Sequence, residues 1–281
     1  MTLPASGAIS LSQVNTEMNE GLTIQRSIND IFFTTLTGGT NSWDDLHGKS
    51  RSHGAINISS GMGSWTVPLG VINVYVHCQG GHGGKGGTDV YAGQVGWDGM
   101  RVYGNLAVSY GQVFHFFVGN NGTNGTNGRS GTHGKGGSSS SPTGVNFSGG
   151  NGGDAGTYYK SNSGGGAGGG GASGVYLGTT PIIIAGGGGG GAGAGHEGGI
   201  KAQQGGIITS TIGGTGYGGT NADYGGCGGG GGGLNAGQGG QGAVQDYFGW
   251  PGTNGGCLVP GGFTKDNTGQ NDANPYVYLT W

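Results

Sequence analysis

Few residues of this chain occur at a spacing that supports catalysis or cofactor binding. The sequence contains no G-x-S-x-G nucleophile elbow, no H-E-x-x-H zinc motif and no complete phosphate-binding loop. The nearest approach to that loop, His-Gly-Lys-Ser at residues 47–50, has Trp43 where the first glycine belongs. We therefore predict that the protein is not an enzyme and that it binds no cofactor.

The acidic and histidine side chains give no better metal or acid–base site. His77 and His82 fall close together at the end of a predicted strand, but polar residues that flank a strand explain both of them more simply. Asp44 and Asp45 are the only adjacent carboxylates of the chain. They lie in a predicted helix start, where the helix dipole favours acidic residues. We expect no metal site.

The residues that we expect to bind a partner are the aromatic side chains that interrupt long glycine tracts. Tyrosine and tryptophan on loops of a rigid scaffold make binding surfaces. An alternative is that some of these rings close the ends of the glycine-rich region or pack against a core. The candidate residues of such a binding surface are Tyr91, Trp97, Tyr158, Tyr159, Tyr217, Tyr224, Tyr247, Phe248 and Trp250.

The scaffold that must position these rings is built largely of glycine. Glycine accounts for 79 of the 281 residues, roughly fourfold its usual share of ~7 %, and only six glycines fall in residues 1–60. Seven prolines are too few for collagen, and 25 aromatic residues are too many for a flexible linker.

Within the tracts the glycines keep a period of three. From Gly119 to Gly137 every third residue is glycine, and so is every third residue from Gly165 to Gly174. Three residues per turn is the repeat of a polyproline-II-type helix, which has no internal hydrogen bonds. We predict a bundle of polyglycine-II helices over 80–100, 119–172 and 186–256, with backbone groups paired between neighbouring helices.

Other segments have the alternation of β-strands. In residues 71–77, Ile72, Val74 and Val76 share one face and polar residues share the other. Similar patterns predict strands near 64–77, 105–118, 173–185 and 276–281, with a hairpin around residues 109–111. The fold class is therefore mainly β, an antiparallel β-sandwich carrying the glycine-rich bundle.

Residues 1–55 are poor in glycine and carry three helix-start patterns. Ser10-x-x-Gln13, Ser27-x-x-Asp30 and a third at residues 42–45 have the spacing of capping boxes. Apolar residues follow at helical spacing, so we predict a small helical module that docks on another surface. The apolar positions are Leu11, Val14, Met18, Ile28, Ile31 and Phe32.

Charge and terminal composition restrict the partners. Ten basic and thirteen acidic residues give a net charge of −3 without a basic patch, which disfavours nucleic acid. The amino terminus has neither the charged nor the apolar region of a signal peptide, and no apolar stretch approaches ~20 residues. We expect a soluble chain made in the cytoplasm, with its three isolated cysteines as small buried residues.

Two parts of the sequence resemble bacteriophage proteins. Residues 3–17, 27–30 and 47–50 resemble a segment that recurs in phage virion proteins, often tail-fibre or tail-tip proteins. The remainder looks like the glycine-rich domain of many phage tail proteins. The matching pieces are 65–71, 108–112, 181–187 and 276–281.

The resemblance implies a receptor-binding protein of the phage tail. Residues 1–55 would then attach to other tail proteins through the apolar positions given above, and residues 56–281 would present loops to a bacterial surface receptor. An outer-membrane protein and a polysaccharide remain equally open as that receptor, as do a homotrimer and a monomer. The location implied is the virion, reached by synthesis in the host cytoplasm and release by lysis. The alternative is a non-adhesive spacer or joint of the tail.

Overall fold

The computed structural model describes most of the chain from residue 53 onward. The described ranges are 53–127, 132–155, 163–195, 227–240, 251–266 and 274–281, with Thr211, Ile212, Leu3, Ser6, Ile9, Ser10, Gln13 and Val14 in addition. In this part the protein is mainly β, with two antiparallel sheets, as the strand patterns predict.

Nine strands form the two sheets within the described part of the chain. They are β1 Ala55–Ile58, β2 Gly61–Thr66, β3 Asn73–Gln79, β4 Arg101–Ala107, β5 Val113–Val118, β6 Ser173–Leu177, β7 Thr180–Ala185, β8 Thr264–Asp266 and β9 Tyr276–Thr280. One sheet has the order β1-β9-β3-β4-β8 and the other the order β2-β5-β6-β7. The predicted strands at 173–185 and 276–281 are confirmed.

Both sheets contribute side chains to one hydrophobic cluster. Val76 of β3 and Leu279 of β9 belong to the five-stranded sheet, and Phe116 of β5 and Ile183 of β7 belong to the four-stranded sheet. Alternate residues of a strand point to opposite faces, so the four-stranded sheet also has a second apolar face. There Phe117 contacts Phe147, with ring centroids 5.5 Å apart.

The predicted hairpin around residues 109–111 is wrong. Strand β4 pairs with β3 and β8, whereas β5 pairs with β2 and β6, so the turn between β4 and β5 crosses from one sheet to the other. The backbone around the turn is bonded elsewhere, because the Val67 N–H donates to the Gln112 carbonyl at 2.9 Å and the Val108 N–H donates to Ile72 at 2.8 Å.

Three glycine tracts continue directly from strands β3, β5 and β7, and the tracts bond to one another sideways. Tract 163–172 is the centre of this network, because its backbone is hydrogen-bonded to six other segments. Between the central tract and each neighbour the bonds recur every third residue; for example, the amides of Gly81, Gly84 and Gly87 donate to Gly171, Gly168 and Gly165. The six neighbours are 80–88, 119–127, 132–141, 148–155, 227–233 and 186–195.

These six segments are also bonded to one another in a closed ring around the central tract. Each segment of the ring donates to, or accepts from, the next one, at N···O distances of 2.7–3.0 Å. The bonds that close the ring are Gly122 to His82, Thr123 to Lys135, Gly149 to Gly137, Gly150 to Gly230, Gly187 to Gly232 and Gly188 to Gly81. Each ring segment therefore has the central tract and two ring neighbours as bonding partners.

Glycine is required here because the segments approach backbone to backbone. A Cβ atom on Gly190 would overlap the carbonyl group of Ala167, and one on Gly187 would overlap that of Gly170. Residues 164–171 contain one side chain, the methyl group of Ala167, and it is fully buried. The interior of this region is therefore made of peptide groups.

In segment 119–127 each of the three positions of the repeat contacts a different neighbouring segment. Its glycines face the central tract, where a Cβ on Gly122 would overlap the Gly168 carbonyl. The Asn124 side chain accepts from the Lys85 amide at 2.8 Å, and the Thr123 hydroxyl accepts from the Lys135 amide at 2.6 Å. Asn121 and Asn127 repeat the asparagine bond, to residues 82 and 88. Each position of the triplet therefore serves a different neighbour.

Little of the predicted amino-terminal helical module falls within the described residues. The Ser10 amide donates to Gln13 Oε1 at 2.7 Å and the Gln13 amide donates to Ser10 Oγ at 3.2 Å, which are the reciprocal bonds of a capping box. Gln13 and Val14 are helical. The remainder of the module stays a prediction.

We predict that one added methyl group separates the tracts. Gly190→Ala should lower the free energy of unfolding by about 1–3 kcal/mol, because its Cβ has no space beside the Ala167 carbonyl. The control is Gly261→Ala, where a Cβ meets no atom within 4 Å. Urea denaturation measures both variants, and equal stabilities would contradict the close approach.

Candidate binding surface

Among the described loops, the one that best fits a binding surface joins two glycine-rich segments, 80–88 and 92–100. These segments are antiparallel, with Gly80, Gly83 and Gly86 donating to the carbonyls of Met100, Trp97 and Gln94 at 2.8–3.0 Å. The Asp89 amide donates to the Tyr91 carbonyl at 2.9 Å and closes the turn between them. The turn is therefore held by backbone bonds on both of its arms.

Four large apolar side chains are exposed on this turn and its second arm. The exposed fractions are 67 % for Val90, 48 % for Tyr91, 64 % for Val95 and 43 % for Trp97. We call these four residues the apolar turn surface. All of them lie within eight residues of one another, and large apolar groups gathered on a surface mark interaction sites.

The structure describes two of the aromatic candidates. Tyr91 and Trp97 are exposed, so neither ring is packed into a core. The Trp97 backbone is at the same time fixed, since its amide donates to Gly189 at 2.7 Å and its carbonyl accepts from Gly83 at 2.9 Å. A rigid backbone with an exposed indole ring suits binding with little loss of conformational entropy.

The other aromatic candidates lie outside the described residues. These are Tyr158, Tyr159, Tyr217, Tyr224, Tyr247, Phe248 and Trp250. Of the predicted attachment residues, Val14 is buried, with 1 % of its surface exposed. Leu11, Met18, Ile28, Ile31 and Phe32 lie outside the described residues.

Sequence reasoning missed the two valines of the apolar turn surface. Val90 and Val95 are more exposed than the two aromatic rings beside them. The candidates predicted from the sequence are aromatic, although a branched aliphatic residue in a tract is as strong a departure from glycine. An apolar count over residues 88–97 finds all four side chains.

The structure separates the two histidines that the sequence places near one strand end. The His77 ring is within hydrogen-bonding distance of the Tyr276 hydroxyl, at 3.2 Å from Nδ1 and 3.1 Å from Nε2, and lies edge-on to Tyr103. The His82 ring instead contacts the Gly83 carbonyl. Burial, and then the positive charge of Arg101, lower the pKa of His77, which keeps its ring neutral near pH 7.

His133 and Asp154 form a close pair of ionisable groups in the glycine-rich part. His133 Nδ1 lies 2.7 Å from Asp154 Oδ1, and the His133 amide donates to the same oxygen at 2.9 Å. Burial acts to raise the pKa of Asp154, but the hydrogen bonds and charge of His133 together lower it. No group of three or more potential metal ligands occurs among the described residues.

The cysteines behave as buried apolar residues where they are described. Cys78 and Cys227 are fully buried and Cys257 is partly buried, and none of the three forms a disulfide. Burial, followed by the nearby Cys257, raises the pKa of the Cys78 thiol far above its usual range. A thiol held in its neutral form is a poor nucleophile.

No protein-family model and no curated protein matches this chain. Within the described residues, no helix has the length and apolar character to cross a membrane.

We predict that the side chain of Trp97 contributes little to folding. Trp97→Ala should cost about 1 kcal/mol of unfolding free energy, because the bonds that hold this position use backbone atoms. The comparison is Trp65→Ala in β2, a 7 % exposed residue, which should cost about 3–5 kcal/mol. Thermal and urea unfolding give both values, and a Trp97→Ala loss as large as that of Trp65→Ala would show a structural role instead.

Proposed function

We propose that this protein is a bacteriophage tail adhesin, in which a rigid bundle of polyglycine-II helices displays loops to a receptor on the bacterial surface. The observation that carries the proposal is the apolar turn surface, an exposed apolar group on a backbone that is fixed by bonds on both arms. The resemblance of residues 3–17 to phage virion proteins supports the same function.

The proposed polyglycine-II helices rest on the pattern of the backbone bonds. Bonds between segments recur every third residue, as expected for helices with three residues per turn and no internal hydrogen bonds. The central tract has six bonded neighbours in a closed ring, which is the arrangement of rods in a hexagonal array. The shared hydrophobic cluster of the two sheets similarly supports a β-sandwich.

The proposed attachment to the tail uses the amino-terminal module. The capping box at Ser10 and the buried Val14 support a helix start there. In this proposal residues 1–55 bind other tail proteins, and the glycine-rich part faces the host. The partners are therefore a surface receptor and tail proteins, with a homotrimer as one assembly.

The alternative function is a structural spacer of the tail with no receptor. The dense bonding of the glycine tracts favours a stiff element, which suits a joint as well as an adhesin. The position of the protein in the virion separates the two functions. Antibody labelling at the distal end of the tail favours the adhesin, and labelling between other subunits favours the spacer.

Host-cell binding tests the adhesin directly. Purified protein should bind host bacteria and compete with phage adsorption, and the double variant Tyr91→Ala, Trp97→Ala should bind at least tenfold more weakly, because it removes both rings of the apolar turn surface. The matched control is Tyr110→Ala, whose ring is 67 % exposed in the turn between β4 and β5. Absence of binding and of competition by the unaltered protein would contradict the adhesin function.

A further inference from the structure

A cleft lies beside β2, well separated in sequence from the apolar turn surface. It consists of two cavities of about 480 and 580 Å³ that share Met62 as a lining residue. Both are depressions open to solvent, and their volumes fall in the range of about 300–1,000 Å³ that is usual for small-molecule sites. The Met62 side chain is 63 % exposed, so the two cavities meet at an accessible side chain.

The wall opposite β2 is the loop of residues 138–148, and it is fixed in place. Phe147 is buried and stacks on Phe117 of β5, with an angle of 17° between the rings. The Ser139 hydroxyl donates to the Ala172 carbonyl at 2.6 Å, and the Phe147 amide donates to the Ser139 carbonyl at 3.0 Å. The loop therefore forms its side of the cleft without a ligand to organise it.

The chemistry of the lining is uncharged and rich in hydroxyl groups. Neither cavity is lined by Asp, Glu, Lys or Arg. Seven serine and threonine residues line the first or the second cavity, with Asn120, Asn146 and His115 beside them. The seven are Ser64, Ser138, Ser139, Ser140, Thr143, Ser148 and Thr179. Hydroxyl groups both donate and accept hydrogen bonds.

Several of these polar groups have hydrogen-bonding capacity to spare. In the part of the chain that the structure describes, the side chains of Ser64, Ser140, Thr179 and His115 make no hydrogen bond to another protein group. The Ser138 hydroxyl accepts from Asn120 Nδ2 at 2.7 Å, which leaves its own O–H to donate. Donors and acceptors are thus distributed along both cavities.

We propose that this cleft binds a neutral carbohydrate. A sugar presents hydroxyl groups that donate and accept in turn, and these match the serine, threonine and asparagine side chains of the lining. Its C–H faces match Met62 and Pro142, the exposed apolar surfaces of the second cavity. The lining contains no Lys or Arg to pair with a carboxylate, which disfavours acidic polysaccharides. The two adjoining cavities offer room for a short oligosaccharide.

The proposal goes beyond the adhesin function and does not rest on it. It concerns a different surface, and it stands if the apolar turn surface has no receptor. It fails if neutral sugars do not bind, whatever the protein does at the host surface.

The test is saturation-transfer NMR and calorimetry on the full chain with four named probes. Three are neutral trisaccharides, namely maltotriose, mannotriose and triacetylchitotriose, and the fourth is the acidic trigalacturonate. We expect at least one neutral probe to bind and trigalacturonate not to bind. Absence of binding by all three neutral probes, or binding of trigalacturonate alone, would overturn the proposal.

Variants locate the binding. Met62→Arg places a long charged side chain where the two cavities meet, and we expect it to weaken neutral sugar binding at least tenfold. Ser64→Leu removes one hydroxyl of the second cavity and should weaken binding to a smaller degree. The matched control is Val90→Arg on the apolar turn surface, a residue of similar exposure at 67 %, which should leave sugar binding unchanged.

The same two arginine variants keep the two functions distinguishable. If the adhesin proposal holds, Val90→Arg weakens host-cell binding while sugar binding persists. Thermal unfolding checks that both variants are folded. We expect both to fold because both positions are exposed. Sugar binding that Met62→Arg leaves unchanged would place the carbohydrate elsewhere and contradict the cleft.

Discussion

The structure depends on one constraint, which is that every buried peptide group must find a hydrogen-bond partner. An extended segment without side chains has no partner within itself, so its amides and carbonyls have to bond to neighbours. Tract 163–172 meets this requirement through six neighbouring segments. A lone glycine tract would lose much conformational entropy for no such bonds, so the tracts are stable only together.

The two sheets set the starting positions of these tracts. Strand β3 ends at Gln79 and a tract follows at Gly80; β5 ends at Val118 and a tract follows at Gly119; β7 runs in the same way into Gly186. A side-chain core thus fixes the alignment in which a backbone core begins. The turn at residues 89–91, at the far end of tract 80–88, carries residues other than glycine, and Val90 and Tyr91 of the apolar turn surface lie in it.

Sequence periodicity predicted those features of the structure that depend on residues close together in the chain. Alternation predicted β6, β7 and β9, and the spacing of three among the glycines predicted the interval at which the tract bonds recur. It failed at the turn of residues 109–111, because neighbouring strands of the chain joined different sheets. The cleft at Met62 could not be predicted from the sequence either, since its walls are some 80 residues apart along the chain. Tyr91 and Trp97 were found as departures from glycine, whereas Val90 and Val95 were not.

The most direct measurement of the central claim is amide hydrogen exchange of the glycines, followed by NMR on protein labelled with ¹⁵N-glycine. If peptide groups form a true core, the amides of Gly168, Gly170 and Gly190 exchange as slowly as Gly174 within β6, because each donates to a neighbouring segment. Exchange as fast as that of Gly261 in an exposed turn would contradict a backbone core.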